Sequence, residues 1–356
     1  MRQTRHLRLL FTTLSIASLV CSNQALGESE QSPLTSFFFV DTYAAASKND
    51  PPGIERDYVT QASKNGGPHL NLLAAGAAYD DKLLRAKLAA QHGDSVDANY
   101  AAEPQEAWRL VQEGYVGAYL SPKVSLDAGV FFAHIGAESW INTYNPNYTR
   151  SLIAEFSPYY ESGGRLTYAI NDEWTAQLLV LNGWQNISEA RHPALGTSLS
   201  WTDSKLTVSS NTFAGNENDG TRLFHDLIIQ RKFESGTLIS GSIDVGHQDA
   251  PDIAGGWWWG YALIGKTPLT ENLALNGRIE SYQDPNAVIT TPPSGTPFRV
   301  YGVSMGTDLD VGSGLCVRAE AKHLMGVDKV FLDDSSTTRT DTLFILSLSL
   351  MKTALL

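Results

Sequence analysis

The segment Asn145–Trp184, NPNYTRSLIAEFSPYYESGGRLTYAINDEWTAQLLVLNGW, joins the longest irregular part of the chain to its clearest pair of strands. Polar and apolar side chains alternate through residues 165–170 and again through 174–180, with Asn171-Asp172-Glu173 between the two runs. A period of two is typical of strands with one polar and one apolar face, so this part predicts a β-hairpin. Residues 145–164 carry two prolines and two glycines. They are too many for an ordinary connection, which indicates a functional or a disordered loop.

Similar alternation recurs along the chain and predicts sixteen strands. These are Phe37–Ala46, Leu70–Tyr79, Leu83–Gly93, Trp108–Leu120, Val124–Ala133, Arg165–Ile170, Trp174–Trp184, Ala194–Thr202, Lys205–Gly215, Thr221–Phe233, Gly236–Gln248, Trp257–Lys266, Asn272–Gln283, Phe298–Asp310, Gly314–Met325 and Asp341–Met351. They cover more than half of the chain after residue 27, whereas ordinary soluble domains hold about 20–25% strand. An even number of strands lets the last pair antiparallel with the first, which removes every open edge.

The predicted connections alternate between short turns and long loops. The long loops are Ser47–His69, Asp94–Ala107, His134–Gly164, Gln185–Pro193, Asn216–Gly220, Asp249–Gly256, Asp284–Pro297 and Gly326–Thr340. A soluble sandwich has no reason to place all long loops on one side of an up-and-down meander. Outer-membrane barrels, in contrast, combine short periplasmic turns with long outer loops. We therefore expect an all-β fold, a single transmembrane antiparallel up-and-down β-barrel of about sixteen strands, with both termini in the periplasm.

The ends of the chain indicate export. Three arginines precede an apolar run from Leu9 to Val20, and Ala25-Leu26-Gly27 supplies the small residues of a cleavage site. We expect residues 1–27 to be a secretory signal peptide and residues 28–356 to form the barrel. After cleavage Cys316 would be the only cysteine, which excludes an intramolecular disulfide.

Composition excludes two further classes of protein. The formal net charge of −12 would become −15 on loss of the three signal arginines, so no basic patch is expected to bind nucleic acid. After the signal, no apolar run approaches the roughly 18 residues that a transmembrane helix needs. A helical membrane protein is thereby disfavoured, whereas the spans of a β-barrel alternate and escape hydropathy.

Motifs of catalysis and cofactor binding are weak. Gly260–Thr267, GYALIGKT, matches the phosphate-loop pattern, but the segment is predicted as strand and Pro268 precedes another strand instead of a helix. The seven histidines after the signal lack metal-binding spacing, and no nucleophile motif is visible. We therefore expect no catalytic residues, no metal site and no cofactor.

Tryptophans and charges indicate how the strands meet lipid. Seven of the eight tryptophans fall at predicted strand ends, as in the aromatic girdles of membrane barrels: Trp108, Trp174, Trp184, Trp201 and Trp257 to Trp259. A basic side chain on the lipid face at the midplane costs about 2–4 kcal/mol, so ionisable residues should face a water-filled interior. Strand parity predicts these pore-lining residues: Arg85, Lys87, Glu113, Asp127, Arg165, Asp244, Arg278, Glu280, Arg318, Glu320 and Lys322. Six cations against five anions leave the ion selectivity open.

Three segments carry a resemblance to a known family. They are Leu126–Trp140 (LDAGVFFAHIGAESW), Asn145–Tyr168 and Leu178–Gln185 (LLVLNGWQ). This region resembles the signature of the OmpL-like β-barrel porins of Gram-negative bacteria, and the resemblance implies an outer-membrane channel for small solutes. One departure is the end of the chain, which runs on through residues 352–356 after the predicted last strand, whereas outer-membrane barrels commonly finish on an aromatic residue.

The expected function is a porin that allows passive diffusion of small hydrophilic solutes across the bacterial outer membrane. It would not be an enzyme, and its partners would be those solutes and outer-membrane lipid. The sequence leaves open whether the barrel is a monomer or a homo-oligomer. The alternative is a barrel without a channel, with a plugged lumen, that acts as an adhesin or structural scaffold.

The third outer loop, residues 134–164, is expected to fold into the barrel and narrow the pore. Its polar residues suited to a lumen are Glu138, Asn142, Asn147, Arg150 and Glu155. Glu138 and Arg150 would then be charges at the narrowest point and would face lumen residues such as Arg165. The alternative is that residues 151–156 form another strand or a surface cap.

Overall fold

Sixteen antiparallel strands close into a barrel in the computed structural model of the protein. The structure describes residues 32–49, 51, 54–188, 192–217, 219–249 and 255–355. The predicted signal peptide, residues 1–27, lies outside the described residues. The expected closed barrel of sixteen strands is confirmed.

The strands follow one another around the barrel in chain order. They are β1 Leu34–Ser47, β2 Gly66–Asp80, β3 Leu84–His92, β4 Val111–Ser121, β5 Val124–Phe132, β6 Tyr160–Ala169, β7 Trp174–Leu181, β8 Ala194–Thr202, β9 Leu206–Glu217, β10 Gly220–Lys232, β11 Leu238–Gln248, β12 Gly256–Pro268, β13 Leu273–Asp284, β14 Phe298–Gly312, β15 Leu315–Gly326 and β18 Thr340–Leu355. β16 Phe331–Asp333 and β17 Ser336–Thr338 form a separate hairpin in the last outer loop. Short helices occupy outer loops: α1 Asp94–Asn99, α2 Glu106–Arg109 and α3 Leu152–Glu155.

Closure is made by the first and last strands. β1 and β18 pair without a break from Thr35 opposite Leu355 to Ser47 opposite Leu343. Lipid offers no hydrogen-bond partner to a free strand edge, so a spanning sheet must close on itself. The pairing extends beyond the predicted end of the last strand, because residues 352–355 continue β18 instead of trailing from the barrel.

The two faces of β18 show that the barrel is apolar outside and polar inside, the reverse of a soluble protein. Phe344, Leu346 and Leu348 are exposed on the outer wall, whereas Ile345 and Ser347 are buried inside. Large apolar residues are exposed in the same way on most strands, and buried polar residues lie between them. An apolar exterior around a polar interior is the arrangement that a membrane barrel requires.

The structure corrects several predicted boundaries. The predicted long loop Asn216–Gly220 is not long, because β9 and β10 pair as far as Glu217 opposite Gly220, so the alternation of loop lengths fails there. β4 begins at Val111 after α2, not at Trp108. β6 begins at Tyr160, five residues before the predicted start, because residues 160–164 pair with β5 despite their two glycines.

The aromatic girdle is smaller than predicted. Trp257 and Trp259 are exposed on the outer wall, and Trp174 pairs with Trp201 near the short turns. Trp258 lies between the first two with opposite parity and is buried inside the barrel.

Two further tryptophans predicted for the girdle lie elsewhere. Trp184 follows β7 and stacks edge-on against the inward-facing Phe213 and Phe224. Trp108 lies in helix α2 of an outer loop. Proximity to a strand end therefore does not decide which way a tryptophan side chain points.

The outer wall of β18 provides a test of its membrane position. Leu346, 58% exposed at mid-strand, should tolerate arginine poorly, with a loss of about 2–4 kcal/mol in the free energy of unfolding, because the charge would enter the lipid midplane. Leu355→Arg at the end of the same strand is the matched control and should cost about 0–1 kcal/mol. Urea unfolding in lipid vesicles measures both, and equal costs would contradict the assigned span.

Candidate functional site

The connection between β5 and β6, residues 133–159, lies inside the barrel, and we call it loop 3. Its contacts reach inward-facing side chains on widely separated strands. The Gly136 amide donates to Asp226 on β10 (2.7 Å), Asn147 Nδ2 donates to Asn276 on β13 (3.1 Å), and Ser157 Oγ donates to Asp244 on β11 (3.2 Å). Loop 3 therefore crosses the lumen, as the sequence predicted for an inward-folding third outer loop.

The tip of loop 3 is bound by a buried guanidinium. Arg278 on β13 donates to the Thr149 carbonyl oxygen (2.7 Å) and lies 3.2 Å from Glu280 and 3.6 Å from Glu320. Glu138 of loop 3 approaches the same guanidinium to 3.8 Å. A buried charge is costly unless it is paired and hydrogen-bonded, and here the wall and loop 3 together meet that requirement.

A second arginine binds the loop through its backbone. Arg318 on β15 donates to the carbonyl oxygens of Asn142 (2.7 Å), Asn145 (3.0 Å) and Pro146 (2.8 Å), while its Nε donates to Asp308 (2.8 Å). Hydrogen bonds with a charged donor are stronger than neutral ones. This one side chain therefore fixes a turn of loop 3 against the wall.

A buried carboxylate on β1 holds the same part of loop 3 through its side chains. Asp41 accepts from Asn142 Nδ2 and from the Tyr148 hydroxyl, both at 2.8 Å, and from Asn71 on β2 at the same distance. Trp140 Nε1 donates to Gln91 on β3 (2.7 Å). Asp41 has the inward parity of β1, yet the sequence analysis did not single it out.

Apolar contacts also hold loop 3 against the inner wall. The alternative that residues 151–156 form a strand or surface cap is wrong, because they contain α3 inside the barrel. Ile153 of this helix packs on Gly260 of β12, where an added Cβ would come within 2.5 Å of the Ile153 side chain. Glycine at this position of the wall therefore allows the helix to approach.

The two charges assigned to a constriction do not face Arg165. Arg150 is fully buried, stacks on Tyr159 (3.6 Å from its ring centroid) and donates to Thr60 of the first outer loop (3.2 Å). Glu138 accepts from the Ser151 amide and hydroxyl, beside Arg278. Arg165 pairs instead with Asp127. The expectation failed because Arg150 is held by aromatic stacking and by the first outer loop, and Glu138 by Ser151 and Arg278, and none of these contacts is visible in the sequence.

Burial also affects the titration of Glu138. Removal from water raises the pKa of the Glu138 carboxyl above its usual range, and the Arg278 guanidinium and the Ser151 hydrogen bonds oppose that shift. Glu155, also predicted for the constriction, accepts from the Thr60 amide and hydroxyl and from the Tyr159 hydroxyl. Glu138 thus links two parts of loop 3 beside Arg278, and Glu155 links loop 3 to the first outer loop.

The predicted pore-lining residues fall into two groups. Six are buried beneath loop 3: Asp244, Arg278, Glu280, Arg318, Glu320 and Lys322. The other five lie on the wall formed by β3 to β6: Arg85, Lys87, Glu113, Asp127 and Arg165. In this second group Asp127 pairs with Arg85 and Arg165, and Lys87 pairs with Glu113. Parity alone could not separate the two groups, because it does not show where loop 3 lies.

Two inward-facing carboxylates were not predicted to line the pore. Asp226 contacts loop 3 from β10, whose alternation does not show which face is inward, and Asp308 on β14 accepts from the loop anchor Arg318. Asn276, on the inward face that alternation predicts for β13, contacts loop 3 directly. Lys266 pairs with Asp308 at 2.5 Å. Lys266 belongs to the GYALIGKT match, which lies entirely within β12.

The described residues contain neither a cluster of metal-ligating side chains nor a membrane-spanning helix. In the described part of the chain, no group of three or more His, Cys, Asp or Glu side chains could hold a metal ion. Within those same ranges no helix has the length and apolar character to cross a membrane.

A closed barrel with polar residues inside, apolar residues outside and an internal third loop defines a porin-type outer-membrane barrel. The family model described as "Putative beta-barrel porin-2, OmpL-like" matches residues 35–351. The chain therefore belongs to this OmpL-like porin family, as the resemblance implied.

Solved outer-membrane proteins share the fold at low sequence identity. In-vitro folded OmpT of Vibrio cholerae matches with a TM-score of 0.60 and 11% identity, over 91% of this chain and 99% of that one. The anion-selective porin of Comamonas acidovorans gives 0.59 and 11%, over 90% and 100%. The outer-membrane channel DcaP of Acinetobacter baumannii gives 0.59 and 9%, over 90% and 96%. No curated protein matches the chain.

The anchoring role of Arg318 can be measured. Arg318→Met removes the donors to three loop carbonyls, so we expect the barrel to lose about 3–5 kcal/mol in the free energy of unfolding and loop 3 to become sensitive to protease. Arg299→Met is the matched control, because Arg299 pairs with Asp328 at an exposed position and should cost about 0–1 kcal/mol. Urea unfolding and limited proteolysis provide the two readouts. A protease-resistant loop 3 in Arg318→Met would contradict the anchor.

Proposed function

We propose that the protein is an outer-membrane channel through which small hydrophilic solutes diffuse passively, and that loop 3 narrows the passage. The observation that carries the proposal is the contrast between the two faces of the wall. Ionisable and amide side chains line the inside of nearly every strand, whereas the outer face is apolar. A barrel of about this strand number encloses an aqueous lumen, and charged walls favour water and polar solutes inside it.

The position of loop 3 supports the second part of the proposal. The loop crosses from the β5–β6 side to contacts on β10, β11 and β13, and most of its side chains are buried there. A solute that crosses the barrel must pass what remains of the lumen beside this loop. The five pore-lining residues on β3 to β6 would border that passage, and Arg85, Lys87 and Arg165 keep part of their side chains exposed.

A barrel plugged by loop 3, acting as an adhesin or scaffold, is the second candidate. It is favoured by the dense burial of residues 145–152 inside the barrel. A conductance measurement on the wild-type protein separates the two candidates, since a plugged barrel carries no ionic current. Catalysis is part of neither proposal.

Conductance in planar bilayers tests the proposed function. We expect discrete current steps for the wild-type barrel in potassium chloride. Replacement of residues 136–157 by a four-glycine linker should raise the single-channel conductance several-fold, because it empties the lumen while the pairing of Phe132 with Tyr160 keeps the chain ends together.

The matched control shortens another outer loop. Replacement of the exposed tip, residues 293–296 between β13 and β14, by two glycines should leave the conductance unchanged. A silent wild-type barrel that conducts once loop 3 is removed would favour the plugged scaffold. Equal conductance of the wild type and the loop-3 variant, both correctly folded by circular dichroism, would show that loop 3 does not limit the passage.

A further inference from the structure

Two carboxylates on the inner wall are each held between two cations. Asp127 on β5 pairs with Arg85 of β3 (3.2 Å) and Arg165 of β6 (2.9 Å). Asp308 on β14 pairs with Lys266 of β12 (2.5 Å) and Arg318 of β15 (2.8 Å). We call these the Asp127 cluster and the Asp308 cluster. Each contains two positive charges and one negative charge, which leaves a formal charge of +1.

The two clusters lie on opposite walls at the same end of the barrel. In the closed strand order, β5 and β14 are nine steps apart through β10 and seven steps apart through β1, so they are close to diametrically opposed. Asp127 lies three residues beyond the start of β5 and Asp308 four residues before the end of β14, and both of those strand ends adjoin short turns. A solute in this part of the lumen therefore passes between the clusters.

The exposed fractions of the side chains show which charges of each cluster face the lumen. The Asp127 side chain is 1% exposed, whereas those of Arg85 and Arg165 are 23% and 15% exposed. In the other cluster, Asp308 is 9% exposed and Lys266 is 31% exposed. In the Asp127 cluster both cations therefore contact the solvent-accessible side, and the carboxylate lies behind them. In the Asp308 cluster Lys266 does so, whereas Arg318 is 1% exposed and faces loop 3. Such an arrangement attracts anions, since charges near low-dielectric walls act on solutes with little screening.

Most of the other inward carboxylates are buried away from the solvent-accessible side, among them Asp41, Asp226 and Asp244. Glu138, Glu280 and Glu320 are buried under loop 3 beside Arg278, away from solvent. Asp310 has the same inward parity as Asp308 and is partly exposed, so it offsets part of the charge of the Asp308 cluster and leaves the Asp127 cluster as the stronger of the two.

Aromatic rings hold the arginines of the Asp127 cluster in place. Arg85 lies over Tyr119 (5.8 Å to the ring centroid), and Arg165 lies over Phe131 (4.4 Å). A guanidinium fixed in this way loses little freedom when it binds a ligand. Its remaining donors suit a planar oxyanion, because the fork of a guanidinium matches the two oxygens of a carboxylate.

We propose that the two clusters form a filter that favours small carboxylate anions over cations as they cross the barrel. This inference rests on the proposed channel function and adds the class of solute. The filter operates although the whole chain has a formal net charge of −12. A solute in the lumen responds mainly to the charges of the two clusters, because these are nearest to it.

The reversal potential under a tenfold gradient of potassium chloride tests the filter. We expect the wild-type channel to have a chloride-to-potassium permeability ratio above one. The triple variant Arg85→Gln, Arg165→Gln, Lys266→Gln should bring the ratio to one or below, because three accessible positive charges are lost. Lys82→Gln, Lys123→Gln, Lys205→Gln removes the same charge from exposed positions at short turns and should change the ratio much less.

A carboxylate probe provides a second readout. Sodium succinate should reduce chloride current through the wild type more than through the Arg85, Lys266 and Arg165 variant. If that variant fails to fold, Arg85→Gln alone should show the same changes to a smaller extent. A wild-type channel that conducts but prefers potassium, or that succinate leaves unaffected, would overturn the filter and leave the channel function intact. Absence of any current would overturn both.

Discussion

The backbones of the barrel strands must form all their hydrogen bonds inside a lipid layer, and the closed fold follows from this requirement. Every N–H and C=O of a spanning strand needs a partner within the protein, since hydrocarbon offers none. The continuous pairing of β1 with β18 meets that requirement at the seam. Closure then gives each strand one face toward lipid and one toward the lumen. The alternation of Phe344, Ile345 and Leu346 on β18 is a direct consequence.

The same requirement reappears inside the barrel in a different form. Loop 3 has few backbone hydrogen bonds of its own in the lumen, so its carbonyl and amide groups need partners on the wall. Arg318, Arg278 and Glu280 supply them: the arginines donate to loop carbonyls, and Glu280 accepts from the Leu152 amide. The dependence is mutual, because these charges would themselves be buried without compensation if the loop were elsewhere. Loop and wall thus stabilise each other.

This mutual dependence divides the inner wall into two regions with different roles. Beneath loop 3, charges are buried and serve to position the loop. On β3 to β6, Arg85 and Arg165 remain accessible while Asp127 lies behind them. The overall negative charge of the chain therefore says little about the lumen, since a permeating ion responds to the charges nearest to it. Selectivity in such a barrel depends on which partner of each ion pair is uncovered.

The barrel can be read from the amino-acid sequence, because a period of two is a local property that each strand displays in its own residues. The sequence also placed Arg278, Arg318 and Lys322 on the inner face and identified residues 134–164 as the loop to examine. The contacts of those residues depend on how the closed barrel brings distant parts of the chain together. Arg318 and the Asn142 carbonyl are 176 residues apart in the chain, and no local pattern reports such a contact. The inward turn of Trp184 and the burial of Arg150 between aromatic rings are settled in the same way, by neighbours that closure brings together.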